Sequence, residues 1–332
     1  MKKVALLLVI VFTVMLFTSC SATKENRQFA IVANDAIGDS GFVDMAYEGI
    51  RKAAEDFKIE YKVFECHADP SVYKDTLTTA ASKYDVIFVV PGYFFDKELE
   101  EVTKKYPKKT FIYVDGATTL TNVKSAVFMQ NEGAFLAGAL AALLTQDTSV
   151  AKINADKKVG FVGGADMPVI RDYQTGFEQG VKYTDPTVEV LARYAGDHYD
   201  PAKGKETAYI TSQNGADVIF QAAGPTGLGV LEAAKEHGFY AIGVDTDQGY
   251  LQPDCIVSSM LKRVDTAIYS MVESISKGEA LQEKYVFNVA NGGIGLAKNE
   301  YYTKIVPKAI QDKVDEIEKK VVSGEIKVES YK

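Results

Sequence analysis

Short runs of β-branched and aromatic residues alternate with helical segments along almost all of this 332-residue chain. That alternation constrains the fold more than any other feature. Strands separated by helices pair in parallel, because a crossover of a dozen or more residues is needed to bring the chain back alongside itself. Segments 28–33, 61–66, 86–90, 110–114 and 126–129 read as strands of a first series, with helices predicted over 43–57, 70–83 and 96–105. In the first helix Val43, Ala46, Tyr47, Ile50, Ala53, Ala54 and Phe57 follow the 3.6-residue period. Asp69 and Pro70 open the second with a cap and a first-position proline. After a glycine- and alanine-rich helix over 132–144, a second series has strands at 158–162, 188–193, 218–220 and 240–244 and helices at 169–183, 201–213 and 226–237. The chain closes with a strand at 256–261, a helix at 264–277, a strand at 285–289, a glycine-rich stretch at 292–295 and a charged helix at 307–322.

Two such series exceed what one hydrophobic core usually covers, so the prediction is an α/β chain with two lobes. The N-terminus carries a different signal. Lys2 and Lys3 precede an apolar run over 4–17, which is too short for a membrane span of roughly 20 residues. Small residues then lead into Cys20. This grammar reads as a secretory signal peptide over 1–19. The segment resembles a bacterial lipobox, with Phe17 where an aliphatic residue is usual and Leu16 one place earlier. Lipidation of Cys20 is expected, with 20–27 as a polar tether holding the protein to the extracytoplasmic side of the cell membrane. Charge points away from nucleic acid: without Lys2 and Lys3 the net charge moves from −8 to −10. His67, His198 and His237 show no metal-ligand spacing, and Cys66 and Cys255 read as buried free thiols, so neither a metal nor a cofactor is expected.

In parallel sheets, ligands sit beyond the carboxyl ends of the strands. The residues there are polar: Asn34 and Asp35 after the first strand, Asp115 after the fourth, Asp245 after the strand at 240–244, and Lys262 after 256–261. Phe42 lies just beyond Gly41, and Gly224 opens the helix over 226–237. Carboxylates accept paired hydrogen bonds from vicinal hydroxyls, a lysine donates to the same oxygens, and an aromatic face stacks on a planar ring. The set therefore suits a hydroxylated, ring-bearing ligand, although Asp and Asn at strand ends are also ordinary turn and cap residues.

Several segments, in order, resemble the basic membrane protein family of substrate-binding lipoproteins, whose best-understood members are purine nucleoside receptors of the PnrA type. They are 41–49 (GFVDMAYEG), 130–138 (QNEGAFLAG), 159–164 (VGFVGG), 168–171 (PVIR), 176–177 (GF), 200–206 (DPAKGKE), 243–248 (GVDTDQ) and 259–265 (SMLKRVD). The resemblance implies a type I periplasmic-binding-protein fold: two Rossmann-like lobes joined by a three-strand hinge. The lobes would comprise 28–129 plus 262–288 and 130–261 plus 289–332, hinged near 129–131, 257–261 and 288–291. It implies a nucleoside, a purine nucleoside foremost, as ligand and ABC permease subunits as partners. Phe42 would stack on the base, Asp115 would contact the ligand, and Gly224, Asp245 and Lys262 would hold the ribose. Asn34 or Asp35 would read a base edge. The family's second stacking aromatic aligns with His198, beside Tyr199, and a family asparagine aligns with Val43.

The residues alone leave other readings open. A receptor for a sugar would use the same residue types, and an amino-acid receptor would need a group such as Arg171 for the carboxylate. A surface protein binding macromolecules fits the anchor equally well. An enzyme is disfavoured by the lack of a G-x-G-x-x-G after the first strand, a P-loop or a nucleophile elbow, leaving Asp245 and Asp247 as the one conceivable acid–base pair.

Overall fold

The computed structural model describes residues 27–332; the expected leader, the lipid site Cys20 and the tether as far as residue 26 lie outside the described residues. The chain begins β1 (Phe29–Ala33), α1 (Phe42–Phe57), β2 (Tyr61–Glu65), α2 (Tyr73–Lys83), β3 (Val86–Val90), α3 (Asp96–Lys105), β4 (Thr110–Val114), β5 (Val123–Phe128). It continues α4 (Gln130–Leu144), β6 (Lys158–Gly163), α5 (Pro168–Thr184), β7 (Glu189–Tyr194), α6 (Pro201–Gln213), β8 (Ala216–Ala222), α7 (Pro225–His237), β9 (Tyr240–Asp245), β10 (Ile256–Lys262). Last come α8 (Val264–Ser276), β11 (Lys284–Phe287), β12 (Ile294–Leu296), α9 (Glu300–Ile305) and α10 (Lys308–Val322).

These strands form two six-stranded sheets, in the orders β11-β5-β4-β3-β1-β2 and β12-β10-β9-β8-β6-β7. Every pairing is parallel except β12 against β10. The runs FAIVA of β1 and VIFVV of β3 are buried throughout, as are β8 and β9. Continuous apolar strands of this kind belong at the centre of parallel sheets, where helices cover both faces. One cluster of buried side chains runs through both lobes, and a smaller one lies on the far face of each sheet. Cys66 and Cys255 are free and buried. No helix among the described residues is long and apolar enough to cross a membrane.

The chain passes between the sheets three times, after β5, after β10 and after β11. Backbone hydrogen bonds tie the crossings together: Met129 donates to Phe287 (2.8 Å), Arg263 to Gly293 (2.9 Å) and Ile294 to Asn288 (3.1 Å). The second crossing differs from the sequence expectation. Residues 257–261 lie inside β10 alongside β9, with Met260 and Leu261 also paired to β12, and the chain leaves the second sheet only at Arg263. The glycine-rich stretch at 292–295 runs into β12, because Ile294 and Leu296 are drawn into the core beside β10.

Candidate functional site

The carboxyl ends of the two sheets face each other across a cleft enclosing about 610 Å³, open solvent included. All eight residues singled out from the sequence line it: Asn34, Asp35, Phe42, Asp115, His198, Gly224, Asp245 and Lys262.

The floor is built around one buried cation. Lys262 ends β10 in the second sheet, yet its Nζ lies 2.6 Å from Oδ1 of Asp115 at the end of β4 in the first. The lysine side chain is 1% exposed and the aspartate 4%, so water screens the pair little. Three rings surround the ammonium, with Phe42, Phe128 and Tyr173 each centred 5.3 Å from it. Asp245, from the end of β9, is buried beside this pair but forms no ion pair among the described residues. Burial pushes its carboxyl up to about 7; the nearby carboxylates of Asp39 and Asp115 push the same way, while Lys262 and a hydrogen bond from Tyr173 oppose them.

Backbone geometry aims these groups. Asp115 and Asp245 both have left-handed φ, +73° and +67°. Such conformations cost of order 1–3 kcal/mol in a residue with a Cβ, and they persist where the surroundings hold them. Gly224 (φ +56°, ψ −141°) turns β8 into α7 in a conformation open to glycine alone, leaving the start of that helix facing the cleft. Asp39 caps α1, accepting from the backbone N–H groups of Gly41, Val43 and Asp44. Its carboxyl is nonetheless raised, because burial outweighs those bonds.

The mouth is assembled from both lobes. Asn34 donates from Nδ2 to the Tyr199 hydroxyl at 2.5 Å and also hydrogen-bonds Tyr73. Gln248 Nε2 donates to the Ser40 carbonyl at 3.0 Å, and its Oε1 accepts from Gln221 and from the Val244 N–H. His198 meets Phe94 edge to face at 6.4 Å. Burial lowers its basicity, so the ring is neutral near pH 7, and its Nε2 has no hydrogen-bond partner among the described residues. These contacts join lobe to lobe, so the cleft is in a closed state.

Asp39, Tyr93, Phe94 and Tyr173 also line the cleft and were not singled out from the sequence. Tyr173 sits in α5 at a position whose period reads simply as core. Tyr93 and Phe94 follow the cis Val90–Pro91 bond in a connector without a pattern of its own. Two other candidates lie elsewhere. Asp247 accepts from Asn299 Nδ2 and the Gly249 N–H and, unlike Asp245, is not part of the cleft wall. Arg171 is held by both oxygens of Asp166, at 2.6 and 2.5 Å, and is not part of the cleft wall.

Comparison with known proteins agrees with this geometry. A basic membrane protein A2 of Borrelia garinii subsp. bavariensis is 30% identical over 342 residues, covering 98% of this chain and 97% of its own. A CD4+ T-cell-stimulating antigen of Listeria monocytogenes is 31% identical over 332 residues, covering 92% and 89%. Among solved structures, an ABC transporter solute-binding protein from Aeropyrum pernix K1 superposes with a TM-score of 0.82 at 27% identity, covering 92% of this chain and 94% of that one. The two lobes have the type I periplasmic solute-binding fold. The family model for ABC transporter substrate-binding proteins of the PnrA-like type matches residues 27–332, and the chain belongs to that Bmp family of substrate-binding proteins.

Proposed function

We propose that the cleft binds a nucleoside, most readily a purine nucleoside, and presents it in the closed state to an ABC importer. The observation that carries this reading is the floor, where Phe42 offers a ring face beside the Asp115–Lys262 pair and the protonatable Asp245. An aromatic face stacks on a base, while two carboxylates and an ammonium suit ribose hydroxyls, which both donate and accept. Net charge narrows the ligand further. Four aspartates (35, 39, 115 and 245) line the cleft against Lys262 alone, and that lysine is already paired. A phosphorylated ligand would enter against this field, so nucleosides are favoured over nucleotides.

Asn34 or Asp35 reads a base edge in this proposal, Asn34 through its oxygen alone. Its amide nitrogen is engaged by tyrosine hydroxyls, leaving its oxygen and the Asp35 carboxylate as acceptors for a base N–H. The protein would be a lipoprotein held by Cys20 outside the cytoplasm, without catalytic activity. Closure about the three crossings follows from binding, since only the closed state touches ligand with both lobes.

A thermal-shift screen of the purified chain tests this against purine and pyrimidine nucleosides, nucleoside 5′-monophosphates, free bases, ribose, other sugars and amino acids. A ligand at 100 times its Kd stabilises by roughly 2.7 kcal/mol, a shift of several degrees. Nucleosides should raise the Tm while ribose, free base and monophosphates leave it in place. A shift with sugars or amino acids alone overturns the ligand assignment.

A further inference from the structure

Beyond α10 the chain turns at Gly324 (φ +75°), bends through Glu325 and Ile326, and continues to residue 332 without helix or strand. Ile326 and Val328 face the main core while Lys327 and Glu329 face solvent, the two-residue period of an extended chain laid on a surface. Side chains of α4 and α5 fasten it. Gln179 bonds both backbone groups of Glu329, donating to its carbonyl at 2.8 Å and accepting from its N–H at 3.0 Å. Asn131 donates to the Val328 carbonyl at 3.0 Å, and the Tyr331 N–H donates to Asp172 Oδ1 at 2.8 Å.

Where these anchors sit is informative. Gln130 and Asn131 are the first residues of α4, directly after the first crossing between the lobes. The other oxygen of Asp172 accepts from Gln130 Nε2 at 2.7 Å. Asp172 is 8% exposed and Gln130 9%, so both oxygens of a buried carboxylate are spent joining the C-terminal segment to the crossing. The next residue, Tyr173, lines the cleft, with its ring over Lys262 and a hydrogen bond to Asp245. The contact between α5 and the crossing is tight: a Cβ on Gly176 would stand 2.1 Å from the Asn131 carbonyl oxygen.

We propose that segment 325–332, acting through Asp172 and Gln130, braces the first crossing and thereby positions the two lobes for ligand closure. Asp172 is a positioning residue. It touches no ligand, but fixes the backbone on which the lobes turn and the helix that carries Tyr173. The inference rests on the reading of the cleft as a site that closes on its ligand. Cutting the brace frees the torsions at 129–131 and favours open arrangements, so affinity falls although no group in the cleft has changed.

The test compares four forms of the chain: wild type, a form stopped after Glu325, Asp172→Ala and Gln130→Met. Affinity is measured by calorimetry with inosine, guanosine and adenosine, alongside the Tm and the unliganded radius of gyration from X-ray scattering. Each altered form should bind about tenfold more weakly, equivalent to ~1.4 kcal/mol, with a larger radius of gyration. Gln130→Met should match the shortened chain in affinity loss while keeping a higher Tm, since it leaves the segment docked. Combining the stop with Asp172→Ala should weaken binding no further than either alone, because both cut one path. Affinities within twofold of wild type and an unchanged radius, whatever the Tm does, would overturn the brace and leave the segment a structural strap. Should the shortened chain fail to fold, the two point variants carry the same comparison. If wild type binds none of the three nucleosides, it is the ligand reading that fails, and the radius of gyration of the unliganded forms still decides the brace.

Discussion

Asp115 and Asp245 occupy equivalent places in the two lobes. Each stands at the carboxyl end of a parallel strand, each has a left-handed φ, and they are 7% and 6% exposed. Only Asp115 has a cation on it, the Lys262 ammonium at 2.6 Å. Asp245 has the Tyr173 hydroxyl and the field of the same lysine from further off, and burial pushes its carboxyl up to about 7. One local sequence pattern has thus produced two sites of different chemistry. The first lobe offers a fixed charge pair locked across the crossing, and the second a carboxyl poised to exchange its proton. What separates them is the reach of a single lysine from the second sheet into the first.

The largest expected effect breaks the locked pair. Lys262→Met should destabilise the unliganded protein by roughly 3–5 kcal/mol, because it leaves a buried carboxylate without its partner. Asp245→Asn should cost far less, since no ion pair is lost. Denaturant melts of both variants check this, and equal losses would erase the distinction between the lobes. Ligand affinity is a separate readout: Asp245→Asn stays folded yet binds nucleoside at least about tenfold more weakly, one charged hydrogen bond being worth roughly 1.5–3 kcal/mol. Calorimetry reads that loss directly.

A subtler effect lies in pH. The Asp245 pKa is raised on folding, so between about 4 and about 7 the native state holds a proton that the unfolded chain has shed. Stability from this group is therefore greatest below pH 4, declines as pH rises to about 7, and is level beyond. Asp245→Asn should remove that slope, as comparison of melts from pH 4 to 8 in the two proteins will show. The smallest effect concerns the mouth. Tyr199→Phe deletes the hydrogen bond from Asn34 across the cleft and should weaken ligand binding by about two- to tenfold, the range for one neutral hydrogen bond. Unchanged affinity in this variant would mean that the contact does not favour closure.

Much of this arrangement was legible in the residues. The apolar runs of β1, β3, β8 and β9, with helical periods between them, specify parallel sheets, and parallel sheets put polar strand-end residues on one side. Seven residues could therefore be placed beyond the strand ends without a structure, and the family resemblance added His198. Tyr173 could not, because a tyrosine at a core-facing helical position carries the same pattern whether it ends in the core or against a lysine. The extent of β10 was likewise hidden: its last residues are fixed by pairing with β12, a strand of only three residues supplied from a glycine-rich stretch far along the chain.

The sequence by itself determined the elements, their parallel pairing and the identity of the groups at the strand ends, because each depends on periodicity and residue chemistry within a few neighbours. The partnerships were decided only by the tertiary structure: Lys262 with Asp115, Asn34 with Tyr199, Gln248 with Ser40, and Asp172 with both Gln130 and Tyr331. Each joins residues from 42 to 208 positions apart or crosses between the two sheets. Distance and burial there depend on how the lobes pack, and distance and burial set both the strength of a charge pair and the proton affinity of a carboxyl.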